Sequence, residues 1–312
     1  MNYISIRLST LRGDQKIGFN TYIKVGDKML LYLKKGDSFE GDRLFKLKEK
    51  KLRKMFILND DEIQYREYLD KNIYMAYDNK SGSDIQTRAD IVQGDQQANT
   101  EELFEDATNI AAYNLAKEAA GMYVDFILSN DEALNSIMNI KNLSTDMDQK
   151  IAHHGVAVAT LAIALSHKLG MKGQKQLQLL ALGSLLHDYG HYESTIDYTK
   201  IRTKMRPEEL KFYLTHAHVG ATKVSEKKHF DKTVCNIILQ HEELSDGSGP
   251  EKLTEAETDP LALIVSTCNA FDRLVTFQNI PVKDALSVLL MQDMGTHPIQ
   301  HIQYLAEILQ NT

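Results

Sequence analysis

Histidine is missing from the first 152 residues of this 312-residue chain, and all 11 of its histidines follow that point. The absence divides the chain into a half that can hold a metal through imidazole and a half that cannot. Cysteine is almost absent as well. Cys235 and Cys268 are the only two, each inside an apolar run, and they read as packed free thiols in a reducing cytosol rather than as a disulfide. No apolar stretch approaches the roughly 20 residues that span a bilayer. The opening MNYISIRLSTLRGDQ lacks the charged start and apolar core of a signal peptide, so a cytoplasmic location without membrane association is expected. Excess positive charge is lacking too: the net charge of −7 gives no general attraction to a nucleic-acid polymer or an anionic membrane. What remains is ordinary globular composition, 43% hydrophobic and 25% charged, and enough length for two domains.

Residues 1–77 read as a small α+β domain. Alternation in Tyr3–Leu8 suggests a half-buried strand, and Phe19–Val25 and Met29–Leu33 read as a hairpin across Gly26-Asp27. A short basic helix is expected near Arg43–Arg53, a strand at Met55–Leu58, and a helix capped by Asn59–Glu62 that runs to about Tyr74. The lysine-rich run 46–54 reads as a solvated helix face, since no aromatic residue interleaves with it. Residues 78–100 are polar and glycine-bearing, the composition of a linker. From Glu101 to about Asn130 apolar residues recur at helical spacing, predicting one long amphipathic helix. Capping the C-terminal bundle is the plainer role for it, with signal transmission or a dimer interface as alternatives. A helix over Glu132–Ile140 comes next. Residues 101–312 are expected to be all-α.

Chemistry-bearing residues fall in order along this second half: His154, His187-Asp188, His216, Gln240-His241, Asn269 and Asp272. Imidazole and carboxylate suit iron, manganese and zinc. One or two such groups per helix, spread over more than a hundred residues, is how a helical bundle builds a metal site in its core. The pair His187-Asp188 ends the apolar run Leu177–Leu186, and a carboxylate buried beside an imidazole is costly unless a cation or hydrogen bonds compensate. His153 and His167 lack such support and read as surface residues or neighbours of the site. Asp-Gly-Ser-Gly at 246–249 reads on its own as a turn before Pro250.

SLLHDYGH (184–191) resembles the HD motif of the HD phosphohydrolase superfamily and, more narrowly, the LHDIGK segment of HD-GYP domains. THAHVG (215–220) is similar to HPxxG, QHEELSDGSGP (240–250) to HHExxDGSGYP, STCNAFDRL (266–274) to VADxFDAL, and MGTHPIQ (294–300) to a closing GTxFDP segment. The resemblance covers about 148–310. It implies an all-α HD-domain bundle and metal binding by His154, His187, Asp188, His216 and His241, with Asp188 shared between two ions. Gln240 and Asn269 stand where the family has a histidine and an aspartate, and each keeps an oxygen donor. Lys150, four residues before His154, stands where three-metal members have glutamate. The implied cofactor is therefore two divalent ions, iron first, with manganese or zinc also open.

Such a centre implies hydrolysis of cyclic di-GMP in bacterial signalling, with Asp188 and His191 in catalytic roles. Asp246, Gly247, Ser248 and Gly249 would border the substrate cleft. The chain also departs from the pattern. Gly249 runs directly into Pro250, so the tyrosine of GYP is absent, and His191 replaces the lysine of HDxGK. Gln278–Pro281 replaces an RPYR-like segment. Lys200, Arg202, Lys204 and Arg273 could substitute for the lost cations, although solvated surface charge is the plainer reading of them. A weak or inactive module serving as cyclic-dinucleotide receptor or protein-docking surface shares every metal ligand, and another phosphoester is a third reading. The N-terminal domain is expected to be regulatory or to bind a signalling protein.

Overall fold

The computed structural model of the protein describes residues 2–40, 42–130, 132–140, 146–292 and 295–310. Four short antiparallel strands, β1 (Tyr3–Arg7), β2 (Thr21–Val25), β3 (Lys28–Leu33) and β4 (Lys54–Leu58), form one sheet in the order β1-β4-β2-β3. The hairpin turns at Gly26, whose φ of 58° falls in the left-handed region that glycine enters without strain. Helix α1 (Arg43–Glu49) and α2 (Glu62–Tyr77) complete this unit. Its own core gathers Ile6, Leu8, Phe19, Leu33, Phe39, Met55 and Ile57. The expected α+β start followed by an all-α bundle is the architecture found.

Eleven further α-helices follow among the described residues: α3 (Ile85–Glu105), α4 (Ile110–Ser129), α5 (Ala133–Met138), α6 (Met147–Lys168), α7 (Gln174–Leu186), α8 (Pro207–Leu214), α9 (His216–Ser225), α10 (Lys232–Gln240), α11 (Pro260–Asp272), α12 (Val282–Gln292) and α13 (Ile299–Leu309). None of the described helices is long and apolar enough to cross a membrane. Both cysteines are free.

Two expectations need correction. Most of the segment read as a linker is helix α3, which packs against α2, α4, α5 and α6. Asp84 caps it by accepting from Thr87 N at 2.9 Å, and polar residues do much of the burying: Arg88 donates to Ala76 O at 2.7 Å and Gln96 to Ala119 O at 3.1 Å. Second, the helix from Glu101 to Asn130 is two helices. Asp106 breaks it by accepting from Thr108 N at 2.9 Å, and Asn109 restarts it by accepting from Ala112 N at 3.1 Å. The sheet is fastened to the bundle through Arg7, which donates to Glu102 and Glu105 at 2.7 Å each.

Candidate metal centre

Five helices deliver one cluster. His154 lies within α6, His187 and Asp188 follow the last turn of α7, His216 begins α9, His241 and Glu242 follow α10, and Asn269 and Asp272 end α11. Side chains at helix ends can turn inward where the apolar stripe stops, which is why His187-Asp188 and His241-Glu242 sit in the interior. None of these residues is more than 5% exposed. Two glycines permit the convergence. A Cβ on Gly155 would lie 2.7 Å from Leu185 O, so α6 and α7 meet backbone to backbone. One on Gly190 would lie 1.9 Å from His216 O, which brings the turn after Asp188 onto the start of α9.

Hydrogen bonding sets the imidazole orientations. Nδ1 of His187 donates to Ser184 O at 2.6 Å, that of His216 to Tyr213 O at 2.5 Å and that of His241 to Ile238 O at 2.8 Å. A carbonyl only accepts, so each Nδ1 carries a proton, and Nε2 is the nitrogen whose lone pair the neutral ring offers to a metal. His154 Nδ1 meets Asp272 Oδ2 at 2.6 Å in the same sense. All four Nε2 atoms face Asp188, at 3.2 Å (His216), 3.4 Å (His241), 3.5 Å (His187) and 3.8 Å (His154). The His216 and His241 Nε2 atoms are themselves 2.9 Å apart. Burial lowers the His187 pKa to about 3 despite the neighbouring carboxylate, so this ring is neutral.

Lone pairs directed at a carboxylate repel unless a cation lies among them. Both Asp188 oxygens, His187 Nε2 and both His191 nitrogens are buried without a hydrogen-bond partner. The donor atoms form three overlapping groups: His154, His187 and Asp188; Asp188, His191 and His216; and His216, His241 and Glu242. Asp188 belongs to two groups and His216 to two, the arrangement of a site for two divalent ions rather than one. The residues fit the cofactor that the sequence pattern implies.

His154, His187, Asp188, His216 and His241 are thus brought together. Asn269 joins them with Oδ1 at 3.0 Å from His154 Nε2. Gln240 does not: its Oε1 accepts from Asp259 N at 2.8 Å, at the start of α11. His191 stacks on His216, ring centroids 3.9 Å apart, and shares a donor group with Asp188 and His216. Asp246–Gly249 form a turn in which Asp246 accepts from Ser248 N at 3.0 Å and Gly247 takes a φ of 76°. None of the four lines the cleft over the cluster. That cleft, about 230 Å³, is bordered instead by Lys200, Arg202, His241, Glu242, Asn269 and Arg273. His297 of the closing segment also reaches it, whereas Met294 lies outside the described residues.

Two acidic residues escaped the reading of the sequence. Glu242 joins the donor groups and accepts from Tyr213 Oη at 2.7 Å. Glu243 is buried and holds the 246–253 turn by accepting from Glu251 N at 2.7 Å and Leu253 N at 2.8 Å. The signal for both was present as an acidic pair directly after a ligand-type histidine.

Residues 151–274 match the family model of the HD domain. Over 143 residues, 46% of this chain and 34% of the other, the sequence is 26% identical to the cyclic di-GMP phosphodiesterase PA4108 of Pseudomonas aeruginosa. Over 123 residues, 39% of this chain and 32% of the other, it is 24% identical to the cyclic di-GMP phosphodiesterase PdeB of Borreliella burgdorferi. The match spans about a third of the length of these curated relatives. Among solved structures, Bd1817, an HDG"Y"P protein from Bdellovibrio bacteriovorus, is 56% identical, with 99% of this chain and 100% of that one covered and a TM-score of 0.92. A relative of that identity over the whole chain, together with an HD-domain match across the helices that carry the cluster, places this chain in the HD-GYP group of the HD-domain family.

Proposed function

We propose that the chain is a metal-dependent phosphodiesterase of HD-GYP type whose substrate is a cyclic dinucleotide, cyclic di-GMP first, and whose binuclear centre takes iron or manganese. One observation carries the reading: four imidazole Nε2 atoms surround the buried Asp188, whose oxygens have no hydrogen-bond partner. His154, His187 and Asp188 would hold one ion, and His216, His241 and Glu242, with Asp188 nearby, the other. Mixed imidazole and carboxylate donors without thiolate favour iron or manganese. Bound there, two divalent ions supply Lewis-acid polarisation of a phosphoryl oxygen and activation of water.

The chain's own contribution is orientation and exclusion. Backbone carbonyls of Ser184, Tyr213 and Ile238 fix three rings, Asp272 fixes the fourth, and burial keeps bulk water from the far side of the cluster. The cleft lined by Arg202, Asn269 and Arg273 opens onto His241 and Glu242 of the cluster and gives substrate a route to it. That the two curated relatives are named cyclic di-GMP phosphodiesterases supports the substrate class.

A receptor without turnover is favoured by a different observation. His191, at the position of the HDxGK lysine, is wholly buried, and the GYP tyrosine is absent. The experiment is turnover of cyclic di-GMP by anaerobically prepared, iron- or manganese-loaded protein, with binding followed in the same sample. Formation of pGpG or GMP that disappears in Asp188→Ala is expected. Binding without product would replace the phosphodiesterase by a receptor, and neither binding nor product would discard cyclic di-GMP.

A further inference from the structure

Of the four cations that could stand in for the family's missing ones, the structure separates two. Lys204 is exposed, as a solvated charge should be. Lys200 lies at the mouth of the cleft, paired with Glu209 at 3.0 Å. Arg202 reaches inward, donates to Glu242 and lies over the Tyr213 ring, 5.2 Å from its centroid. Arg273 is 7% exposed and packs on the same ring at 5.0 Å and on Phe277 at 5.3 Å. Its Nη2 donates to Tyr198 O at 2.8 Å, while Nη1 is buried with no hydrogen-bond partner. Among the described residues Arg273 has no ion pair. In the segment that resembles FDAL, Arg273 occupies the position of the alanine.

An unpaired buried guanidinium costs several kcal/mol relative to a paired one. Two guanidinium groups against one aromatic ring add mutual repulsion. Tyr213 ties both to the cluster, because its hydroxyl donates to Glu242 and its carbonyl accepts from His216. A group that relieves all of this must be anionic, must offer several oxygens to planar N–H donors, and must fit beside the metal-facing residues. A phosphate meets each condition.

We infer that Arg273 and Arg202 form a phosphate clamp on the Tyr213 platform, binding the phosphodiester of the substrate over the metal cluster. The clamp rests on the phosphodiesterase reading and assigns its specificity for a phosphate to two residues that the family pattern does not supply. Arg273 Nη1 is the fixed half. Arg202 is the mobile half, exchanging Glu242 for a phosphate oxygen as the ligand enters.

The test is calorimetric titration of the full chain, loaded with manganese, with a bis-phosphorothioate cyclic di-GMP that resists hydrolysis. Elemental analysis and thermal melting accompany each variant. Arg202→Met and Arg273→Lys should each weaken binding by about tenfold to a hundredfold, the range for one charge-assisted hydrogen bond, while two metals per chain are retained. Wild-type affinity in both variants overturns the clamp and leaves the phosphodiesterase reading standing. A metal-loaded wild type that does not bind the probe overturns both. Should Arg273→Lys fail to fold, Arg202→Met decides alone, since that side chain is 40% exposed and the accompanying metal analysis shows whether Glu242 still serves the cluster.

Discussion

At the scale of single residues, the centre depends on atoms that are missing as much as on donors. Gly190 lets the turn after Asp188 rest on the His216 carbonyl, where a Cβ would lie 1.9 Å from that oxygen. Because the obstacle is backbone at the start of a packed helix, no side-chain rotation relieves it. Gly190→Ala should therefore cost on the order of 3 kcal/mol of stability and lower the metal content by displacing His216 from Asp188. Chemical denaturation with metal analysis on the same sample checks both. Wild-type metal content would mean that His216 is not held by this contact. Glu243 acts through its acceptors. Glu243→Ala leaves Glu251 and Leu253 amides without their partner, and the expected loss is about 2–3 kcal/mol, seen as a lower denaturant midpoint at unchanged slope.

At the scale of elements, what could be read from the sequence was whatever produced a period. The strands and hairpin of the N-terminal unit follow from alternation in Tyr3–Leu8 and from the Gly26 turn. Most of the ligand histidines stand out because they end or interrupt an apolar helix, as His154, His187 and His241 do, whereas His216 begins one. Helix α3 was invisible to the same reasoning: it buries Arg88, Gln93, Gln96, Thr100 and Glu101, so polar residues occupy its inward face and the apolar pattern vanishes. Its start was nonetheless written in Asp84 and Thr87, a cap-like spacing three residues apart. The site divided in the same way. Ligands on separate helices were legible one by one, whereas the retreat of Gln240 to Asp259 and the inward reach of Glu242 depend on how α10 meets α11, which no local pattern encodes.

At the scale of the molecule, α3 lies between the sheet and the metal-bearing bundle. It touches the sheet side through Gly94, where a Cβ would stand 2.5 Å from Ser9 O, and α6 through Gln93, which lies 3.1 Å from His153 Nδ1. Glu101 sits in this junction with Oε2 unpartnered and Arg7 at 3.9 Å. Burial raises its pKa from 4.5 to about 7. The folded protein therefore keeps a proton that the unfolded chain releases above pH 4.5. Stability from this group is intact below that pH and falls as pH rises towards 7, by at most about 1.4 kcal/mol per pH unit. Glu101→Gln should flatten the fall in unfolding free energy between pH 5 and 7 and leave the acid side unchanged. An identical pH profile in the variant would show that Glu101 is ionised throughout.

The ring of lone pairs around Asp188 also governs how the protein must be handled. An ion that relieves that repulsion binds the folded chain far better than the unfolded one, so each occupied site adds RT ln(1 + [M]/Kd) to the unfolding free energy. The melting temperature is then a function of free metal rather than a constant of the sequence, and should drop on chelation and recover on adding manganese. In effect the fold is an ion-selective electrode that reports by melting, and a purification buffer with EDTA selects which protein is studied.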